Sequence, residues 1–204
     1  MHELGTEAKF DLIITNAQVV RPSLDRTDLG IDIGVSAGRI AALEPGLAQS
    51  AQGPVVDAKG SFIFPGVVDA HTHMGIYAPL AEDAVSESRA AAFGGTTTVI
   101  NYMRTGQYYL NQGGSYGEFF PQVLDQISGN SHVDYAFHLA PMQASHIEEI
   151  PRLIEEYGVT SFKIFMFYGS HGLHGRSSDQ AEFLMTPPGE RYDYAHFEFV
   201  MRGI

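Results

Sequence analysis

From Val67 to Arg202 the chain alternates between strand-like and helix-like segments, and this alternation limits the fold more than any other feature. Pro65-Gly66 marks a turn, after which Val67–Met74 reads as a strand. Glu82–Phe93 reads as a helix, with acids in its first turn and Gly94-Gly95 as its stop. Thr96–Met103 is β-branched and strand-like, Tyr116–Ile127 helical despite Pro121, and Asp134–Ala140 a third strand. Ser145–Tyr157 follows as a helix that Ser145 can cap and Gly158 closes. Ser161–Tyr168 is a fourth strand, and Tyr194–Arg202 a last helix. Successive strand–helix units imply parallel strands joined by right-handed crossovers. Two α/β architectures satisfy this: half of a (β/α)8 TIM barrel, or an open doubly wound sheet. A whole barrel takes ~250 residues. The roughly 140 residues after Pro65 suffice for about four of its eight units, so the chain is expected to stop where a fifth strand would begin.

Residues 1–65 carry a different pattern. Asp11–Val20 is β-rich, Ile31–Ser36 and Arg39–Leu43 flank an Ala37-Gly38 turn, and Val55-Val56 and Ser61–Phe64 add two short strands. We expect a small all-β, β-sandwich-like domain over 1–65, and the barrel units over 66–204.

Composition narrows the chemistry. There is no cysteine, so thiolate metal sites and disulfides are excluded. The formal net charge of -12, with 12 scattered basic residues, argues against nucleic acid or an anionic membrane as partner. No apolar run approaches the ~20 residues of a membrane span, and Met1–Lys9 does not read as a secretory signal. A cytoplasmic protein is the default expectation.

In both architectures active sites form at the carboxyl ends of the strands. His71 and His73 stand there, on one face because strand side chains alternate, with Asp69 one step back. Paired imidazoles suit transition metals; they are equally ordinary polar residues at a strand end. Lys163 is less ordinary, flanked by Phe162, Ile164 and Phe165. It can lie at an edge or pair with a carboxylate such as Asp69. Alternatively, desolvation favours its neutral amine, which reacts with carbon dioxide to a carbamate able to bridge two divalent cations.

The segments FPGVVDAHTHM, AAAFGGTTTVIN, DYAFHLA and GVTSFKIFMFY, in this order, resemble the dihydropyrimidinase/hydantoinase branch of the cyclic amidohydrolases. The resemblance implies that the chain is the first half of a (β/α)8 barrel with a small β domain. It implies that His71 and His73 ligate metal, and that Lys163, carbamylated by carbon dioxide, bridges two divalent ions, taken as zinc. Tyr168 would donate to the oxyanion at the attacked carbonyl. The implied reaction opens a hydantoin or dihydropyrimidine ring to an N-carbamoyl amino acid. The family's habit of forming tetramers implies a homo-oligomer, or association with a complementing C-terminal half.

The resemblance has gaps. Two further histidine ligands and a basic aspartate, expected on later strands, have no counterpart, so the 204 residues alone should hydrolyse weakly or not at all. His196 falls in a helical segment and is not assigned as a ligand. His138 reads as a packing or supporting residue, His171 and His174 as loop residues, and Asn101 carries no assigned role. Gly75 stands where a dihydroorotase places the arginine that holds a substrate carboxylate; allantoinase is a weaker match. The alternative of another class is a non-catalytic, dihydropyrimidinase-related scaffold. A nucleotide-binding open sheet lacks its glycine fingerprint, since Gly94-Gly95 ends a helix.

Overall fold

The structure, a computed structural model, describes residues 9–75, 78–105, 114–165 and 193–204. The chain divides into two compact units, Met1–Pro65 and Gly66–Ile204.

In the first unit, β1 (Leu12–Arg21), β2 (Arg26–Ser36), β3 (Arg39–Glu44), β4 (Val55–Asp57) and β5 (Phe62–Ile63) form one sheet. β1 pairs antiparallel with β2 and parallel with β4 and β5. The hairpin of β2 and β3 turns on Ala37 and Gly38, both with positive φ, as the twist of a two-residue loop demands. The buried Asp32 carboxylate accepts hydrogen bonds from the backbone N–H groups of Asn16, Gly46 and Leu47, which anchors the turn after β3. Ile13, Phe10 and Leu47 form one apolar cluster, and Ala17, Val19 and Ile33 another.

The second unit contains β6 (Val67–Thr72), α1 (Leu80–Phe93), β7 (Thr96–Met103), α2 (Tyr116–Ile127), β8 (Asp134–Leu139), α3 (Ala144–Tyr157), β9 (Ser161–Phe162) and α4 (Tyr194–Gly203). Its sheet has the order β6-β7-β8-β9, with every pairing parallel. Strands adjacent in sequence are adjacent in the sheet, so the unit is the first half of a (β/α)8 barrel rather than a doubly wound sheet, whose order reverses at a switch point. The core lies between sheet and helices: Val99, Met103 and Leu139 from the strands meet Leu80, Phe119, Phe120, Val123 and Leu153 from the helices. α2 tolerates Pro121 because one face buries Tyr116, Phe119, Phe120, Val123 and Ile127. Burial of such side chains is worth about 1.5–3 kcal/mol each, enough to offset the lost hydrogen bond.

Several boundaries differ from the sequence expectation: β2 begins at Arg26 rather than Ile31 and α1 at Leu80 rather than Glu82, and further shifts fall in β6, α3 and β9. β6 ends at Thr72, not Met74, because the Met74 backbone N–H is taken by the Asn101 side chain instead of the sheet ladder. α3 begins at Ala144 with Gln143 as its N-cap, so Ser145 falls in the first turn and does not cap. Its hydroxyl instead accepts from Gln143 Nε2 at 2.7 Å. β9 comprises Ser161 and Phe162 among the described residues, although Lys163 N–H continues the pairing to Leu139 O at 2.8 Å.

Candidate metal centre

Because all four strands run parallel, the ends of β6, β7, β8 and β9 share one edge of the sheet. His71 and His73 at the end of β6, Tyr102 on β7, His138 on β8 and Lys163 after β9 are gathered there. The expected pairing on one face is realised: the two imidazole rings lie 4.9 Å apart, and their Nε2 atoms 3.1 Å apart. His73, one residue beyond the strand, keeps this direction because Asn101 Oδ1 accepts from Met74 N–H at 2.7 Å. Asp69 Oδ1 accepts from the His71 backbone N–H at 3.1 Å.

Partial burial, and then the positive charge of Lys163 and His138, lower the pKa of His71, against an opposing pull from Asp69. Partial burial, His71 and Lys163 do the same for His73. Both rings are therefore biased toward the neutral imidazole, the form that ligates metal. The charge of Lys163 thus acts on both rings.

Lys163 is half-buried, less enclosed than its apolar neighbours in sequence suggest. Its Nζ sits 5.5 Å from the centre of the Phe165 ring. Phe165 in turn packs edge-on against Tyr102 at 5.5 Å. The pairing of Lys163 with Asp69 is not formed among the described residues.

Two curated proteins are similar to this chain. A D-hydantoinase of Geobacillus stearothermophilus is 37% identical over 144 residues, 67% of this chain and 29% of the relative. A D-hydantoinase of Rhizobium radiobacter is 32% identical over 213 aligned positions, 95% of this chain and 44% of the relative. This chain belongs to the hydantoinase branch of the amidohydrolase superfamily. Among solved structures, the dihydropyrimidinase from Brevibacillus agri NCHU1002 superposes with a TM-score of 0.64 at 29% identity, over 76% of this chain and 33% of that one. The L-hydantoinase (dihydropyrimidinase) from Arthrobacter aurescens also gives 0.64, at 28% identity, over 81% and 34%. The chain thus spans between about a third and less than half of the hydantoinases it matches. No protein-family model matches the sequence.

Whether the candidate site suits a metal ion depends on the spacing of its donors. Two nitrogens each ~2.0–2.1 Å from one tetrahedral zinc stand roughly 3.3 Å apart. The His71–His73 separation of 3.1 Å is within a few tenths of an ångström of that value. The pair therefore fits one divalent ion. Among the described residues no third His, Asp or Glu joins the two to complete a site. Tyr168, His171 and His174 lie outside the described residues.

Three other described histidines, His138, His146 and His196, make hydrogen bonds within the fold. His196, on α4, is buried and donates from Nε2 to Pro141 O at 2.8 Å, in keeping with its helical position. His146 is fully buried; its Nδ1 accepts from Met142 N–H and its Nε2 donates to Gly114 O. His138 spans the site: Nε2–H donates to Ala70 O at 2.7 Å and Nδ1 meets the Ser161 hydroxyl at 2.5 Å. Sequence reasoning did not foresee the parts of Asn101 or Tyr102. Tyr102 packs its ring against His71 and His73 at centroid distances of 6.2 and 5.2 Å. An aromatic residue near the end of the strand after the HxH strand, read with strand alternation, is the signal that could have found it.

No helix among the described residues is long and apolar enough to cross a membrane.

Proposed function

We propose that this chain carries the His71, His73 and Lys163 portion of the divalent-metal centre of a cyclic-amide hydrolase. The reaction opens hydantoin or dihydropyrimidine rings to N-carbamoyl amino acids. The observation that supports it most is the His71–His73 geometry, with Lys163 following the fourth strand of the same parallel sheet. His71 and His73 would be ligands to a divalent ion, and Lys163, as its carbamate, would supply anionic oxygen to the same centre. When bound, such cations, here zinc, lower the pKa of water and polarise a substrate carbonyl. Tyr168 is the residue assigned to donate to the carbonyl oxygen as negative charge develops on it. The protein acts in the cytoplasm and assembles as a homo-oligomer or with a complementing C-terminal half.

The test is zinc stoichiometry of the purified 204-residue chain, measured by elemental analysis beside His71→Ala and His73→Ala. Zinc retained by the parent and lost from both variants supports the reading; absence of stoichiometric zinc even when the remaining ligands of a full-length barrel are supplied favours the scaffold alternative. Because only two imidazoles converge among the described residues, the chain by itself should open dihydrouracil weakly or not at all. Full turnover by the isolated chain would contradict that expectation.

A further inference from the structure

The two halves of the centre sit on strands that do not touch. His71 is on β6 and Lys163 follows β9, with β7 and β8 between them. Backbone ladders set the spacing of neighbouring strands, but curvature decides how near the first and fourth approach on the inner face. A side chain that bonds to both ends of this arc can set that distance. His138 is such a side chain.

Its register is favourable. His138 lies opposite Tyr102 on one side and opposite Ser161 on the other. Ser161 and Lys163 are two residues apart, so the Ser161 hydroxyl marks the face from which Lys163 projects. On the far side, His138 Nε2 reaches past β7 to the Ala70 carbonyl, next in the chain to His71. That carbonyl is open to it because β6 carries an extra residue there: Asp69 to Thr72 spans three steps, against two from Val99 to Asn101 on β7. A bulge of this kind breaks the ladder locally and re-aims backbone groups. A carbonyl can only accept, so Nε2 carries the proton, and in the neutral ring Nδ1 accepts from the Ser161 hydroxyl. Both ring nitrogens are thereby committed, which rules His138 out as a metal ligand in this arrangement. The His71 and His138 rings stand 6.0 Å apart.

We propose that His138 is a positioning residue that ties the Ala70–His71 bulge to Ser161 and so sets the distance from the histidine pair to Lys163. The inference rests on the metal-centre reading above. It assigns His138 a role that neither the HxH pattern nor the lysine strand contains.

The experiment uses the 204-residue chain, with His138→Phe to remove both hydrogen bonds, His138→Gln to restore a donor toward Ala70, and Ser161→Ala to remove the other arm alone. Circular dichroism and thermal unfolding establish that each variant is folded; Ser161→Ala changes one hydroxyl and serves if His138→Phe does not fold. Zinc affinity is measured by competition with a chromophoric chelator, and site geometry by the visible spectrum of the cobalt(II) form. Nitrogen-15 spectra of the metal-free chain report which His138 nitrogen is protonated. The expected results are an Nε2–H tautomer in the parent and a drop in zinc affinity of about tenfold to a hundredfold in His138→Phe. The cobalt spectrum should change with it, recover partly in His138→Gln, and shift less in Ser161→Ala. Parent-like zinc affinity and cobalt spectra in folded His138→Phe or Ser161→Ala overturn the positioning role while leaving the metal centre intact. A parent chain that binds neither metal overturns both.

Discussion

Asn101 clamps Met74 from both sides: its Oδ1 accepts from Met74 N–H at 2.7 Å, and its Nδ2 donates to Met74 O at 3.4 Å. The amide thus replaces a strand partner just where β6 stops, and it holds the residue after His73. Asn101 is fully buried, so deleting the amide leaves Met74 N–H without its acceptor in a dry site. We predict that Asn101→Leu lowers unfolding free energy by about 1–3 kcal/mol in urea titrations. Zinc retention should weaken with it, since His73 loses its backbone anchor. Unchanged midpoint and zinc content would show that the clamp is dispensable.

Metal binding should appear as stability. A ligand that binds the native state alone at 100 times its dissociation constant adds about 2.7 kcal/mol. Zinc should therefore raise the melting temperature of the parent chain, and a chelator should reverse the rise. In His71→Ala and His73→Ala the increment should vanish, while melting without zinc stays close to the parent, because both side chains are only partly covered and lie outside the apolar core.

Acid stability should depend on Glu149. Burial alone raises its pKa, but hydrogen bonds from the Ser115 hydroxyl and the Gly117 and Tyr116 N–H groups, with nearby His146, outweigh this and hold it below the ordinary glutamate value. A carboxylate with a depressed folded pKa stabilises fully above its unfolded pKa and loses that contribution as pH falls through the folded one. The loss therefore lies below the usual glutamate range. Glu149→Gln should cost about 1–2 kcal/mol at pH 7. Its stability should also fall less steeply than the parent's below pH ~4.5. Parallel pH profiles for the two proteins would contradict this assignment.

Phe120 anchors the packing of α2. It is almost fully buried and meets Phe137 and Tyr157 edge-on, at 5.2 and 5.6 Å. Phe120→Ala should cost about 3–5 kcal/mol in chemical denaturation, the range for an aromatic cavity in a close-packed core. A cost below about 1 kcal/mol would mean that the site collapses around the missing ring.

Much of the second unit was legible from local pattern. The limits of β7 and α2 follow from Thr96–Met103 and Tyr116–Ile127 as read, because β-branching and a helical apolar stripe act within a few residues. The shared face of His71 and His73 follows from the two-residue period of a strand. What local pattern missed is equally specific. The start of α2 is held by Glu149, more than 30 residues away, and Ser145 does not cap α3. Such a partner belongs to no repeating period.

The order of residues was enough to specify parallel β/α units, the histidine pair and the candidate lysine, since each depends on side-chain alternation and short-range spacing. Which residues gather around that pair was decided by the tertiary structure alone. His138 meets Ala70 across 68 positions of sequence, and Asn101 meets Met74 across 27. Those contacts exist only because curved parallel strands bring their carboxyl ends to one edge, and nothing in the local sequence encodes how far the sheet bends.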